Sequence, residues 1–345
     1  MPMAEAALHL LSQRGMAPPP AVTEAAIPVA DGLELLVDRF LPDEAADIFH
    51  RPAFHRLHRH RFGGAALFLQ LRQLRSGRLC GSFQALEVEP GLFASPGRGS
   101  YGGFGLTEEL TSAEIGAFIA AAEAQLAALG ARRLELVLPP FCYAPDRSAL
   151  LFSALCNHGY LLQRQELSQA IALERRHLSG TGTYANRKRL AKAAREGVTA
   201  SLLRPDQHRT AYDVIVEARR KKNYSLSMSW PDIQEMADAF PGALLVFGAF
   251  AGGEMIASAI CLRINARVLY VYSWGELPGV ERLSPVTVIA DRLYDFARAQ
   301  DAALVDLGTS SIDGTINPGL FAFKKSLGAH PSVKLFLGKS LGWRS

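Results

Sequence analysis

At 345 residues, 49% of them hydrophobic, the chain can fill the cores of two ordinary domains and is not a disordered polymer. Its 37 basic and 33 acidic side chains leave a formal charge of +4, too small to mark a nucleic-acid binder unless the basic residues are locally concentrated. Cys80, Cys142, Cys156 and Cys261 lie far apart in apolar neighbourhoods with no C-x-x-C pair, which points to buried thiols and a reducing, cytoplasmic setting. The acidic start and the lack of an 18-residue apolar run argue against secretion and a membrane span.

A Pro-rich stretch at Pro18 to Pro20 leads into a segment where His55, His58 and His60 alternate with arginines. Cationic neighbours oppose a divalent ion, so this reads as a basic surface segment and no metal is expected. Strands are predicted at 65–72 and 79–86, joined by a turn at Ser76-Gly77. Gly97, Gly99 and Gly102 then have the G-x-G-x-x-G spacing of a dinucleotide site. That site needs a helix to begin within the glycines, so that pyrophosphate meets free N–H groups. Here the helix signal comes later, at the capping box Thr111-x-x-Glu114, which excludes it. Two readings of the loop remain. It is structural, or Gly102 and Gly103 let backbone come close to a substrate in a groove between two domains. Ile115, Phe118, Ile119, Ala122, Leu126 and Leu129 continue the helix to Gly130, followed by a strand at 133–138, a helix at 148–158 and a strand at 161–173.

The small, polar residues 178–183 mark a boundary between domains 1–177 and 178–345. The second half is predicted to begin with a basic helix at 184–196, a strand at 198–203, and helices at 206–222 and 231–239. An antiparallel meander follows at 243–250, 255–264 and 268–276, turning at Gly252-Gly253 and Asn265-Ala266-Arg267. In its last strand Tyr270, Tyr272 and Trp274 alternate onto one face, which suits either core packing or a substrate wall. Ser284-Pro285 opens a helix ending near 299, a strand at 303–307 follows, and Asn317-Pro318 opens a short helix before a last strand at 332–337. Ser at the N-cap and Pro after it leave N–H groups facing the preceding loop, where the helix dipole favours phosphate and Arg282 could assist; an ordinary helix start is the alternative. Arg187 to Arg195 and Arg219 to Lys222 form two basic runs, either solvated faces or contacts to an anionic partner, with no interleaved aromatics for RNA stacking. Both halves follow strand hairpin, glycine-containing loop, helix, strand, helix, strand, without a residue-level repeat.

Arg187-Lys-Arg-Leu-Ala-Lys-Ala-Ala-Arg-Glu-Gly197 resembles the R-R-x-I-x-K-A-x-x-x-G segment of FemA/FemB-type transferases. Gly319-Leu-Phe-Ala-Phe-Lys-Lys-Ser-Leu-Gly328 is similar to the G-x-x-x-F-K-x-x-F-G element near their end, with Leu327 in place of the usual aromatic. With the duplicated outline, the chain resembles FemAB-like members of the GNAT acyltransferase superfamily. The resemblance implies an α/β (α+β) architecture of two tandem GNAT-like domains, each a mixed, mostly antiparallel sheet flanked by helices. It implies N-acyl transfer from acyl-CoA to the amine of a small or nucleotide-linked acceptor, without a metal. The family's CoA loop, R/Q-x-x-G-x-G/A, has no counterpart in residues 275–285, so aminoacyl-tRNA is the alternative donor and a non-catalytic binding protein a third reading.

Acyl transfer to an amine needs a neutral nucleophile, a polarised carbonyl and a proton route. By resemblance Lys324 takes the transfer position, where its ammonium would meet an oxyanion or a carboxylate, with Lys325 a surface charge. Asp313, grouped in sequence with Asp306 and Asn317, could orient or deprotonate the amine, although Ser-Ile-Asp-Gly also suits an Asx turn. Phe323, Tyr272 and Asn317 are the expected substrate contacts, and Trp274, Ser284 and Arg282 the expected donor contacts.

Overall fold

The structure is a computed structural model that describes residues 26–342, apart from 60, 108–109, 174–182 and 222–225. Pro18 to Pro20, His60, Lys222 and the boundary at 178–182 lie outside the described residues.

The first half begins with a strand pair that the sequence did not announce, β1 (Ala26–Ala30) and β2 (Leu33–Val37), and a short helix, α1 (Pro52–His58). Then come β3 (Ala66–Gln73), β4 (Leu79–Glu89), β5 (Leu92–Ser95), β6 (Gly103–Leu106), α2 (Ser112–Ala128), β7 (Arg133–Val137), α3 (Pro145–Asn157) and β8 (Leu161–Ala172). The predicted capping box opens α2: Thr111 Oγ1 accepts from the Glu114 N–H and the Glu114 carboxylate accepts from the Thr111 N–H. The same residues that spaced the helix in sequence, Ile115, Phe118, Ile119, Ala122 and Leu126, are its buried face. Of the cysteines, Cys80 and Cys261 are buried, but Cys156 is exposed on α3, so one expected buried thiol faces solvent.

The second half contains α4 (Tyr184–Arg195), β9 (Thr199–Leu202), α5 (His208–Lys221), α6 (Trp230–Ala239), β10 (Leu244–Ala251), β11 (Glu254–Arg263) and β12 (Val268–Glu276). It ends with α7 (Pro285–Ala299), β13 (Leu304–Thr309), the hairpin β14 (Ser311–Ile312) and β15 (Thr315–Ile316), α8 (Pro318–Ser326) and β16 (His330–Ser340). The turn before β12 is built by Asn265, whose Oδ1 accepts from the N–H groups of Arg267 and Val268.

All strands except the β14–β15 hairpin join one mostly antiparallel sheet in the order β1-β2-β3-β4-β5-β7-β16-β8-β13-β12-β11-β10-β9, with β6 also on β4. The halves exchange their closing strands. β16, from the end of the chain, pairs with β7, and β8, from the first half, pairs with β13, while β16 and β8 pair with each other. The cores follow the exchange: Leu335 and Leu337 of β16 pack with Phe83, Phe93 and Phe118, and Ile171 of β8 packs with Phe247, Leu293 and Val305. At about 1.5–3 kcal/mol per fully buried large apolar side chain, these few residues tie the halves together firmly. A further cluster, including Phe49 and Tyr101 from the first half and Met236 and Leu262 from the second, seals the space between them.

Candidate active site

Each half has one place where two parallel strands diverge. In the second half β12 and β13 pair through Val268–Leu304, Leu269–Val305 and Tyr270–Asp306 and then part. Gly308 bends β13 away, with φ 77° and its N–H donating to Asp306 Oδ1 at 2.7 Å, a conformation that costs a residue with Cβ. β12 continues to Glu276, bonded on its other side to β11, so its edge toward β13 has no strand partner from Val271 onward. The fork holds a cavity of about 830 Å³.

Lys324 reaches this cavity from α8. It is 2% exposed, and its Nζ donates to the carbonyls of Gly308 at 2.9 Å and Thr309 at 2.6 Å. An ammonium has three N–H groups, so one remains for a ligand. Burial lowers its pKa to about 8, against the opposing pull of Asp306. Asp306 stands behind the fork, buried, its Oδ2 accepting from Tyr143 Oη at 2.8 Å. Burial raises its pKa, and the bonds from Gly308 and Tyr143 oppose that rise. Lys325 is exposed.

Trp274, Phe323, Asn317, Tyr272 and Ser284 also line this cavity. The Trp274 and Phe323 rings meet edge to face at 5.8 Å; the three aromatics of β12 all line the cavity but do not share a face as expected, because a β-bulge between Val271 and Ser273 leaves Tyr270 and Tyr272 on the α5 side and turns Trp274 to the other. Asn317 caps α8, its Oδ1 accepting from the Leu320 N–H at 3.0 Å. Ser284 precedes α7 as expected, but in the left-handed region at φ 53° and without a side-chain cap, because the 3-10 turn Glu281–Leu283 comes directly before it and holds its N–H on Glu281 O. Arg282 is exposed on that turn and outside the cavity lining; its carbonyl accepts from Lys192 Nζ at 3.2 Å. Of the basic helix α4, Arg189 borders the cavity.

Besides Arg282, three candidates fall elsewhere. Asp313 sits at the tip of the β14–β15 hairpin, 82% exposed, its carboxylate bonded to Arg164 at 2.6 Å, a turn position away from the lining of the fork. Gly102 and Gly103 are buried inside the first half, where the Gly102 N–H donates to Val137 O and the Gly103 N–H to Ser95 Oγ, each at 2.8 Å. A Cβ on Gly102 would lie 2.6 Å from Pro96 N, so the close approach this glycine permits is to its own chain.

Other residues of the glycine loop do border the space between the halves. Arg98, Gly99 and Ser100 line a second cavity, of about 220 Å³, with residues of the second half. The two cavities share Arg219, Tyr270 and Tyr272 as walls. Sequence reasoning missed this pairing, because Arg98, Met228 and Tyr270 carry no common spacing. His55 and His58 are buried in α1, and burial, reinforced by the Arg59 cation, holds His55 down to about 4. Among the described residues no group of three or more His, Cys, Asp or Glu could hold a metal ion, and no helix is long and apolar enough to cross a membrane.

The model of the acetyltransferase (GNAT) domain family matches residues 182–325, which include the fork, Lys324 and α7. Among solved structures the chain is similar to FemX, with a TM-score of 0.68 at 13% identity over 85% of this chain and 92% of that one. It is also similar to L-PGS from Bacillus licheniformis, and to the C-terminal domain of a putative lysylphosphatidylglycerol synthetase from Agrobacterium fabrum. Each has a TM-score of 0.53 at 13% identity over 76% of this chain and 81% of that one. No curated protein matches the sequence. Residues 182–325 thus match the GNAT domain family, and the chain as a whole has the fold of FemX.

Proposed function

We propose that the protein is an N-acyltransferase that takes its acyl donor in the β12–β13 fork and its amine acceptor in the smaller cavity between the halves. The observation that carries this is the shared wall: the donor fork and the acceptor cavity meet at Tyr270 and Tyr272. Acyl-CoA is the first donor. The unpaired edge of β12 offers backbone N–H and C=O groups to an extended amide-bearing arm, as a further strand would use them. The start of α7, with Arg189 across the cavity, supplies a positive field for phosphates. The aromatic pair Trp274 and Phe323 gives the acyl group an apolar wall.

In the transfer the amine nitrogen forms a bond to the acyl carbonyl carbon and the carbon–sulfur bond breaks. The nitrogen loses a proton and the leaving sulfur gains one. Lys324 is held by two carbonyls so that its remaining N–H can meet the oxygen on which negative charge develops. Asp306 acts from behind, keeping Lys324 more cationic than burial alone would allow. A second reading, transfer from aminoacyl-tRNA, is favoured by two observations: residues 275–285 lack the usual CoA loop, and one of the similar structures is named as a synthetase of an aminoacylated lipid.

Titration calorimetry with acetyl-CoA, longer acyl-CoAs and an aminoacyl-tRNA decides between the donors. Micromolar or tighter binding of an acyl-CoA, lost when Gly308→Val distorts the fork, is expected. No binding of any acyl-CoA, with binding of aminoacyl-tRNA, would replace the first reading by the second.

A further inference from the structure

The smaller cavity is specific enough to name a class of acceptor, an inference that rests on the acyl-transfer reading. Its body is apolar and drawn from both halves: Phe49 and Phe54 from the first, Met228, Met236 and Leu262 from the second. At about 220 Å³ it is smaller than the usual site for a nucleotide-sized ligand. Among its polar groups, which also include His58, Ser100, Arg219 and the two tyrosine hydroxyls, two bear most directly on the acceptor. Asp232 is 7% exposed, and its carboxylate is already filled, accepting from the Ser229 N–H and Oγ and pairing with Arg98 at 2.6 Å and Arg61 at 3.0 Å. It therefore has little capacity left to hold a substrate ammonium. Arg98 differs. Its Nη2 makes both bonds it has, to Asp232 and to Ser227 O, and among the described residues its Nε and Nη1 carry no hydrogen bond. A guanidinium so held still has N–H groups on Nε and Nη1 to donate to an oxyanion. Ser227 in turn joins Arg98 to the transfer wall, its Oγ hydrogen-bonded to Tyr272 Oη at 2.6 Å.

We infer that the acceptor is a small aminocarboxylic acid with an apolar body, such as a free amino acid with an aromatic or branched aliphatic side chain. Its carboxylate meets Arg98, its side chain lies against Phe49, Phe54 and Met236, and its amine faces the wall at Tyr270 and Tyr272, where the fork delivers the acyl carbon. A cationic side chain would meet Arg98 and a saturated Asp232. A nucleotide-linked amine would exceed the space.

The test is acceptor binding to the full chain by calorimetry, without any donor, so that it does not depend on transfer. Phenylalanine and leucine are expected to bind, phenethylamine at least tenfold more weakly than phenylalanine, and lysine not detectably. Arg98→Gln should weaken phenylalanine at least tenfold and leave phenethylamine unchanged. Because Arg98 also ties the halves together, Met236→Trp provides an independent variant that fills the cavity from its apolar side and should abolish binding of all these amines. Equal binding of phenylalanine and phenethylamine, tighter binding of a UDP-linked amine than of phenylalanine, or no binding of either amino acid would overturn the inference. In parallel, release of free thiol from acetyl-CoA with an excess of mixed amines tests the acyl-transfer reading by itself. Thiol release with acceptors other than aminocarboxylates keeps that reading and removes this inference.

Discussion

The two forks of the sheet have the same construction and opposite fates. In the first half β5 and β7 run parallel through Leu92–Arg133 to Ser95–Leu136, as β12 and β13 do through Val268–Leu304 to Tyr270–Asp306. In each, a loop and a helix connect the two strands. The first loop folds back into its own fork: Gly102 bonds the end of β7, Gly103 bonds Ser95, and the chain continues as β6 along β4 with Phe104 buried in the core. The second loop turns outward through the 3-10 turn Glu281–Leu283, and its fork stays open as a cavity of about 830 Å³. The strand topology makes the fork. Whether the fork becomes a site depends on where the connecting segment goes, and in the first half the glycines are what let it enter.

The contrast can be broken at several points. The largest effect is expected at the open fork. Lys324→Met should lower turnover on the order of a hundredfold, about 2.7 kcal/mol, with donor affinity nearly unchanged, since the contact is stronger in the transition state than in the ground state. Lys325→Met, at an exposed neighbour, should do nothing. If both give the same small loss in folded protein, the open fork has no special cation.

The pH profile sharpens the same point. In the proposed transfer Lys324 works as an ammonium, and burial lowers its pKa to about 8, so turnover is expected to fall about tenfold per unit as pH rises beyond that value. Stability responds in the opposite sense. Between pH 8 and the lysine's ordinary range near 10.5 the unfolded state binds the extra proton, so raising pH removes a cost from the folded state and its stability from this group increases. Lys334, also lowered to about 8 by burial, lies outside the cavity lining, and Lys334→Met should leave the alkaline limb of turnover in place. A limb that persists in Lys324→Met and disappears in Lys334→Met would reassign it.

At the filled fork, Gly102→Val places carbon against backbone, Pro96 N at 2.6 Å and Ser95 C at 2.8 Å, with no flexible side chain to yield. A loss of about 2–3 kcal/mol is expected, read from the urea midpoint, while the folded fraction binds donor normally. An unchanged midpoint would mean that the loop does not occupy the first fork as described. The smallest effect is expected at the hairpin beside the open fork. Asp313→Asn removes an exposed ion pair with Arg164 and should cost no more than about 0.5 kcal/mol, with turnover unaltered. A large loss of turnover would return Asp313 to the transfer step.

Much of the secondary structure was legible because its determinants are local. Hydrophobic spacing in α2, the Thr111–Glu114 box and the Asn265 turn depend on residues within one or two turns of each other, and each formed where expected. The Phe-Lys spacing of its short helix pointed to Lys324, which lies buried against two carbonyls of β13; its part in transfer is the proposal made above. Asp313 shows the limit of the same approach: proximity in sequence to Lys324 did not bring it to the cavity, because the β14–β15 turn holds it at the tip of a hairpin.

The sequence by itself determined the longer elements, though not the β1–β2 pair or the short strands β5 and β6, and much of the division of apolar and polar faces, since these follow from periodicity and capping within short windows. Only the tertiary structure decided that the halves exchange their closing strands, that the glycine loop fills one fork while the other stays open, and that Arg98 stands beside Asp232 and Tyr272. The residues in each of those contacts are separated by many tens of positions, as Arg98 and Asp232 are, with |i−j| of 134. No local pattern encodes such a meeting. It is selected by which arrangement buries the apolar faces and satisfies the backbone of the whole sheet at once.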